Sequence, residues 1–185
     1  MPQTTLTLRD GRPLHVRRLE RTDADAFGCF LEKLGTTTRS FFGPHPLTAP
    51  EAARLCAAQP ERDALRLVVA EPGGRIVAYF ILELGLRAED AQRLAARGQP
   101  LDPATAVTLA PVVADDYQNT GVAGAAFPSV VEEARATGRT HLVLMGGTQE
   151  RNARAVRFYL REGFTPHGRF EYPPGTWNID MTRTV

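Results

Sequence analysis

The stretch that most limits how this chain folds is Val107-Thr108-Leu109-Ala110-Pro111-Val112-Val113-Ala114, followed by Asp115-Asp116-Tyr117-Gln118-Asn119-Thr120-Gly121-Val122-Ala123-Gly124. The apolar, β-branched run reads as a buried strand, the acidic pair as its turn, and the pattern through Val130, Val131 and Ala134 as a helix. Gly121 and Gly124, flanking the small Ala123, admit two readings. They let a ligand approach the backbone where the first helical N–H groups and the positive helix end favour an anion. Equally, they relieve crowding at a tight strand-to-helix turn. The stretch alone leaves both open.

At 185 residues the chain fits a single domain spanning 1–185. Its 22 basic residues nearly balance 21 acidic ones, so no global charge calls for a nucleic acid or an anionic membrane as partner. Cys29 and Cys56 lack metal-ligand spacing and read as free thiols, which points to a reducing, cytoplasmic setting. No metal is expected. The start, Met1-Pro2-Gln3-Thr4-Thr5, has no signal-peptide pattern, and the apolar run Ile76 to Leu82 is too short to span a bilayer.

Alternation predicts strands at Thr4 to Arg9 and Leu14 to Leu19 around an Asp10-Gly11 type I′ turn. A helix is expected from Thr22 or Asp23 to Leu34, with Phe27, Phe30, Leu31 and Leu34 on one stripe. Thr36 to Pro50 reads as a loop holding Arg39, Phe41, Phe42, Gly43, Pro44, His45 and Pro46. Thr48 then caps a short helix through Ala58. Leu65 to Ala70 and Ile76 to Leu84 form a hairpin around Glu71-Pro72-Gly73-Gly74. Leu86 to Arg97 is helix-prone, and the segment up to Pro103 is long enough to cover part of a cleft. The strand Thr105 to Val113 should be interrupted at Pro111, because proline removes a ladder donor. A helix from Asn119 to Thr137 should kink or restart at Pro128. Then come a strand at His141 to Met145, a helix at Gln149 to Arg161 stopped by Gly163, and a hairpin of Phe164 to Tyr172 with Trp177 to Thr184.

On the late helix, Asn152 and Tyr159 lie two turns apart and share a face. Taken alone, they are a helix-start residue bonding its own backbone and a packing residue. Read together with the first stretch they carry more. Gln118-Asn119-Thr120-Gly121-Val122-Ala123 resembles the Gln/Arg-x-x-Gly-x-Gly/Ala signature of the GNAT superfamily of N-acetyltransferases. Asn152-Ala153-Arg154-Ala155-Val156-Arg157-Phe158-Tyr159-Leu160-Arg161-Glu162-Gly163-Phe164 resembles its Asn-x-x-Ala-x-x-Phe-Tyr-x-x-x-Gly-Phe helix. One strand separates the two motifs, as in that family, and the order of elements is similar along nearly the whole chain.

The resemblance implies an α/β (α+β) fold: a mixed, mostly antiparallel sheet of six or seven strands, splayed at the cofactor cleft and flanked by about four helices. It implies acetyl-CoA as acyl donor and a primary amine, on a small molecule or peptide, as acceptor. The protein would be a monomer or homodimer. By carry-over, the backbone of Val112 and Val113 would meet pantetheine. Gln118, Asn119, Thr120, Gly121, Val122, Ala123 and Gly124 would hold the pyrophosphate. Asn152 would contact the CoA arm, and Tyr159 would lie near the thioester sulfur and protonate the leaving thiolate. The base is not fixed, since Thr105 to Val113 contains no acid and Thr108 takes an inward position. Glu83, Tyr79, His45 and Asp116 are the candidates. Glu83 also reads as a strand-end carboxylate and His45 as a loop-stabilising residue. Phe41, Phe42, His45 and Tyr79 are candidates for the acceptor-site wall, although the two phenylalanines also suit plugging helix ends onto the core. The alternative function is a catalytically inactive CoA-binding regulatory or interaction domain.

Overall fold

A computed structural model describes residues 3–58 and 64–185. Among them are nine strands in the order β1-β2-β3-β4-β5-β6-β9-β7, with β8 on β9, and six α-helices. The fold class is the expected one, with more strands and helices than anticipated. The backbone divides into two compact units, Met1–Ile81 with Pro111–Val130, and Leu82–Ala110 with Val131–Val185.

In the first unit, β1 (Thr4–Thr7) pairs antiparallel with β2 (Pro13–Arg18), which pairs antiparallel with β3 (Ala64–Ala70). Their connection is not a two-residue I′ turn. Leu8 pairs with Arg12, Gly11 N–H donates to Leu8 C=O, and only Gly11 has positive φ, so the loop has three residues. Asp10 is instead held by Arg12, whose guanidinium lies 2.7 Å away. Helix α1 (Ala24–Lys33) buries Phe27, Phe30 and Leu31 and packs on α3 (Ala49–Ala57), which buries Leu55 and Cys56. As expected, the Thr48 hydroxyl caps α3 by accepting from Glu51 N–H at 3.4 Å.

The region 36–50 is less of a loop than its composition suggests. Thr36–Arg39 forms a single-turn helix, α2. The Arg39 guanidinium then donates to the carbonyls of Leu31, Glu32 and Leu34 at 2.7 to 2.9 Å, and to Leu47 C=O at 3.1 Å. The last carbonyls of a helix lack intrahelical donors. Here one planar five-donor side chain supplies them and fastens the following loop at the same time.

Strand β4 (Ile76–Leu84) follows β3 through the expected Glu71–Gly74 hairpin turn. Strand β5 (Ala106–Val113) is continuous through Pro111, which corrects the expected interruption. What stops is a ladder. Strand β6 (His141–Leu144) runs parallel to β5 from Ala106↔His141 to Leu109↔Leu144, where the register ends. Helix α5 (Val122–Ala136) begins three residues later than expected and continues through Pro128, whose ring is exposed. Pro128 forfeits the bond to Gly124 C=O and crowds that carbonyl, yet the helix runs on to Ala136. Val122, Ala126, Phe127, Val130, Val131 and Ala134 form its buried stripe, with Ala123 only half-buried.

In the second unit, helix α4 (Ala88–Ala96) packs Leu94 against Ala106 and Val143, with Leu86 and Leu101 alongside. It is also anchored by charge. Arg93 and Arg97 both reach Asp180 on β9 (Trp177–Thr184), Arg93 also reaches Asp90, and Arg93 lies 3.8 Å over the Phe170 ring. Asp180 is 3% exposed. Removing it leaves Arg97 with no carboxylate and Arg93 with Asp90 alone in a half-buried site, so Asp180→Ala should lower stability by on the order of 3 kcal/mol, read as a lower urea midpoint. Strand β9 pairs antiparallel with β6, with a two-residue β7 (Thr148–Gln149) that the pattern did not reveal, and with β8 (Thr165–Glu171).

Helix α6 (Ala153–Arg161) starts later than expected, because Gln149 belongs to β7. It ends in a Schellman motif: Phe164 N–H donates to Tyr159 C=O and Gly163 N–H to Leu160 C=O, with Gly163 at φ 84°. The Phe164 ring then meets the Tyr159 ring edge-on at 5.3 Å. The Gly-Phe pair of the second motif therefore has a structural cause, since glycine tolerates the left-handed residue and phenylalanine supplies the apolar closing contact.

Candidate active site

The first unit contains the end of β5, the glycine loop and the aromatic loop. Leu109 accepts from Met145 N–H at 3.0 Å on the β6 edge, whereas Ala114 donates to Val77 C=O at 2.9 Å on the β4 edge. Successive residues of a strand turn their backbone groups to opposite edges. Val112 therefore turns with Ala114 toward β4, and Pro111 and Val113 turn with Leu109. Pro111 has no N–H to offer. Of the expected pantetheine pair, Val113 alone presents an amide to that edge, while its carbonyl accepts from Gln118 Nε2 at 3.2 Å.

A short 3₁₀ turn, Asp115–Tyr117, leads into the glycine loop. Asn119 has φ 64° and Gly121 φ 89°. The first helical bond of α5 runs from Ala125 N–H to Gly121 C=O at 2.9 Å, so the amides of Val122, Ala123 and Gly124 find no backbone acceptor among the described residues. A Cβ built at Gly121 meets nothing within 4 Å. Three unspent N–H groups at the positive end of a 15-residue helix, beside open space at Gly121, are an arrangement that suits an anion. This favours the ligand reading of the two glycines over simple relief of crowding.

The Gln118 side chain is engaged within the fold. Its side-chain amide donates to Thr38 Oγ1 at 2.8 Å, and the Thr38 hydroxyl donates to Asp115 Oδ1 at 2.6 Å. Asp115 also accepts from Gly35 N–H at 2.8 Å. Gln118 thus braces the loop from within. Sequence reasoning missed Thr38 and Asp115, which lie 77 residues apart with no local pattern linking them. Thr120 donates its hydroxyl to Tyr117 C=O at 2.7 Å. Asp116 is paired with Arg75 at 2.5 Å, which weakens its candidacy as a base.

In the aromatic loop, Phe41 and Phe42 are half-buried, and Phe42 meets His45 edge-on at 5.1 Å between centroids. His45 lies 5.8 Å from Tyr79, which is fully buried on β4 and itself meets Phe27 at 4.7 Å. The structure therefore brings Phe42, His45 and Tyr79 together. A cavity of about 760 Å³, lined by Cys29, Lys33 and Arg75 among others, takes in Asp116 but none of the other predicted site residues. A thin ligand arm lying along a strand edge needs no enclosed cavity, so the backbone geometry is the better guide.

The second unit contains Glu83, Asn152 and Tyr159. Glu83 is paired with Arg87 at 2.9 Å and half-exposed. Thr108 is fully buried and donates to Gly85 C=O at 2.8 Å. Asn152 is the N-cap of α6, its Oδ1 accepting from Ala155 N–H at 3.2 Å, which leaves its amide N–H groups for a ligand. Tyr159 is 6% exposed between Phe158 and Phe164, and burial alone pushes its phenol well above the usual tyrosine range.

Residues 32–164 match the acetyltransferase (GNAT) family model. The chain belongs to the GNAT family. Solved GNAT structures resemble it over almost its whole length. The GNAT domain of S. lividans PAT aligns with TM-score 0.75 at 20% identity, covering 99% of this chain and 97% of that one. The ribosomal-protein-S5-alanine acetyltransferase of Vibrio fischeri aligns at 0.71 and 14%, covering 98% and 96%. Salmonella typhimurium yncA, solved with acetyl-CoA, aligns at 0.68 and 16%, covering 92% and 93%. None of the curated proteins matches this chain in sequence. No helix among the described residues is long and apolar enough to cross a membrane.

Proposed function

We propose that the chain is a single-domain N-acetyltransferase that moves an acetyl group from acetyl-CoA to a primary amine by direct attack in a ternary complex. The unspent amides of Val122, Ala123 and Gly124, beside open space at Gly121, carry this reading. They fit a pyrophosphate, and acetyl-CoA supplies the acetyl group as an activated thioester. Asn119, Thr120 and the Gln118 backbone complete the cradle. The Val113 amide and the Asn152 side chain would hold the CoA arm, and Tyr159 would face the sulfur.

The acceptor must lose a proton before it attacks, since an alkylamine has a pKa near ~10.4. Phe41, Phe42, His45 and Tyr79 form the acceptor wall in this reading. Glu83 is the weaker base candidate because Arg87 already occupies it. The acceptor is a small molecule or a peptide. That one structural relative acetylates a ribosomal-protein alanine is compatible with a peptide amine.

Titration calorimetry with acetyl-CoA, followed by thiol release with a panel of primary amines, tests the proposal. Saturable binding and amine-dependent release are expected. Binding without release from any amine would favour the inactive CoA-binding alternative, which the Glu83–Arg87 pairing and the acid-free β5 suggest.

A further inference from the structure

Resting on that reading, we propose that His45, which packs beside Phe42 and Tyr79, is the base that takes the proton from the acceptor ammonium. The His45 Nδ1 lies 2.8 Å from Pro46 C=O. A carbonyl can only accept, so Nδ1 carries the hydrogen and Nε2 is left as an unprotonated lone pair. That Nε2 is shielded from solvent and has no hydrogen-bond partner among the described residues. A buried acceptor without a donor is costly and calls for an explanation. Looseness does not supply one, because Arg39 fastens both ends of the loop that carries the ring.

The surroundings suit a cation that is about to lose its proton. The Phe42 ring at 5.1 Å and the Tyr79 ring at 5.8 Å make an apolar surround, which favours a neutral amine over an ammonium. The charged and titratable groups around the imidazole are Glu51 and Arg54 on α3, Arg66 on β3 and Tyr79 on β4. Glu51 is held by Arg54 at 2.8 Å and does not compete as a base. Burial lowers the His45 pKa more than the Pro46 carbonyl and Glu51 raise it, so the ring is neutral near pH 7. In the step, one ammonium N–H bond breaks and its electron pair stays on the amine nitrogen. The proton forms the Nε2–H bond of an imidazolium whose Nδ1–H stays on Pro46 C=O. After turnover that proton returns to solvent.

His45→Asn is the informative variant, since its amide can replace Nδ1–H toward Pro46 C=O but leaves no base at Nε2. Nitrogen-15 NMR of the histidine rings should find His45 as the Nδ1–H tautomer, titrating below 6.5. With the amine that the panel yields, kcat/KM should fall at acid pH through that same value. His45→Asn should lose the acid limb and about 100-fold in kcat/KM, with acetyl-CoA affinity unchanged. An Nε2–H tautomer, or an active parent matched by His45→Asn across pH, would overturn the proposal while sparing the acetyltransferase reading. A parent that takes up no acetyl-CoA would overturn both.

Discussion

Gly121→Glu is expected to weaken acetyl-CoA binding by roughly 100- to 1000-fold. The cradle offers the N–H groups of Val122, Ala123 and Gly124, and position 121 opens onto free space, so a glutamate there reaches the anion site without displacing the chain. Two like charges about 4 Å apart repel by about 4 kcal/mol at an effective dielectric constant near ~20. Some of that is relieved by rotation of the side chain into solvent. The backbone contributes separately, because φ at Gly121 is 89° and a side chain there costs about 1–2 kcal/mol in stability. Gly121→Ala carries that strain without the charge. It should unfold at a lower temperature than the parent yet bind acetyl-CoA at least roughly tenfold more tightly than the glutamate variant. Calorimetry on the three proteins separates the effects, and equal affinities in all three would remove the glycine loop from the ligand site.

Tyr159→Phe should lower kcat by about 10³-fold while leaving acetyl-CoA affinity and thermal stability nearly unchanged. The ring packs between Phe158 and Phe164 and phenylalanine preserves both contacts. Burial is the sole cause of the raised phenol pKa, so the proton stays on the oxygen throughout the neutral range. A phenol of that kind gives a strong hydrogen bond to a leaving sulfur more readily than it surrenders its proton outright. Unchanged kcat would dismiss Tyr159 as the donor, and a fall in affinity alone would make it a binding residue.

The structure also narrows where catalysis can be sought. The two carboxylates put forward as bases, Glu83 and Asp116, are each paired with an arginine. His45 keeps a lone pair with no partner among the described residues. Helix α4 is fixed by Asp180 and by the packing of Leu94 on Ala106 and Val143, so the segment 86–103 is a docked element of the second unit.

The sequence by itself determined what depends on near neighbours. The strand, glycine loop and helix start at 107–124 follow from β-branched runs and punctuation by glycine, and the Thr48 cap follows from a hydroxyl three residues before Glu51. Gly163-Phe164 was legible because a Schellman motif is closed within six residues. Tertiary structure decided what depends on partners far along the chain. Pro111 does not break β5, because its missing donor lies on the edge where pairing with β6 has already ended. Gln118 became a brace because Thr38, 80 residues away, supplies the oxygen for its amide. Of Val112 and Val113, only the pairing with β4 could say which one turns its amide outward, since alternation fixes the period of a strand and its neighbours fix the phase.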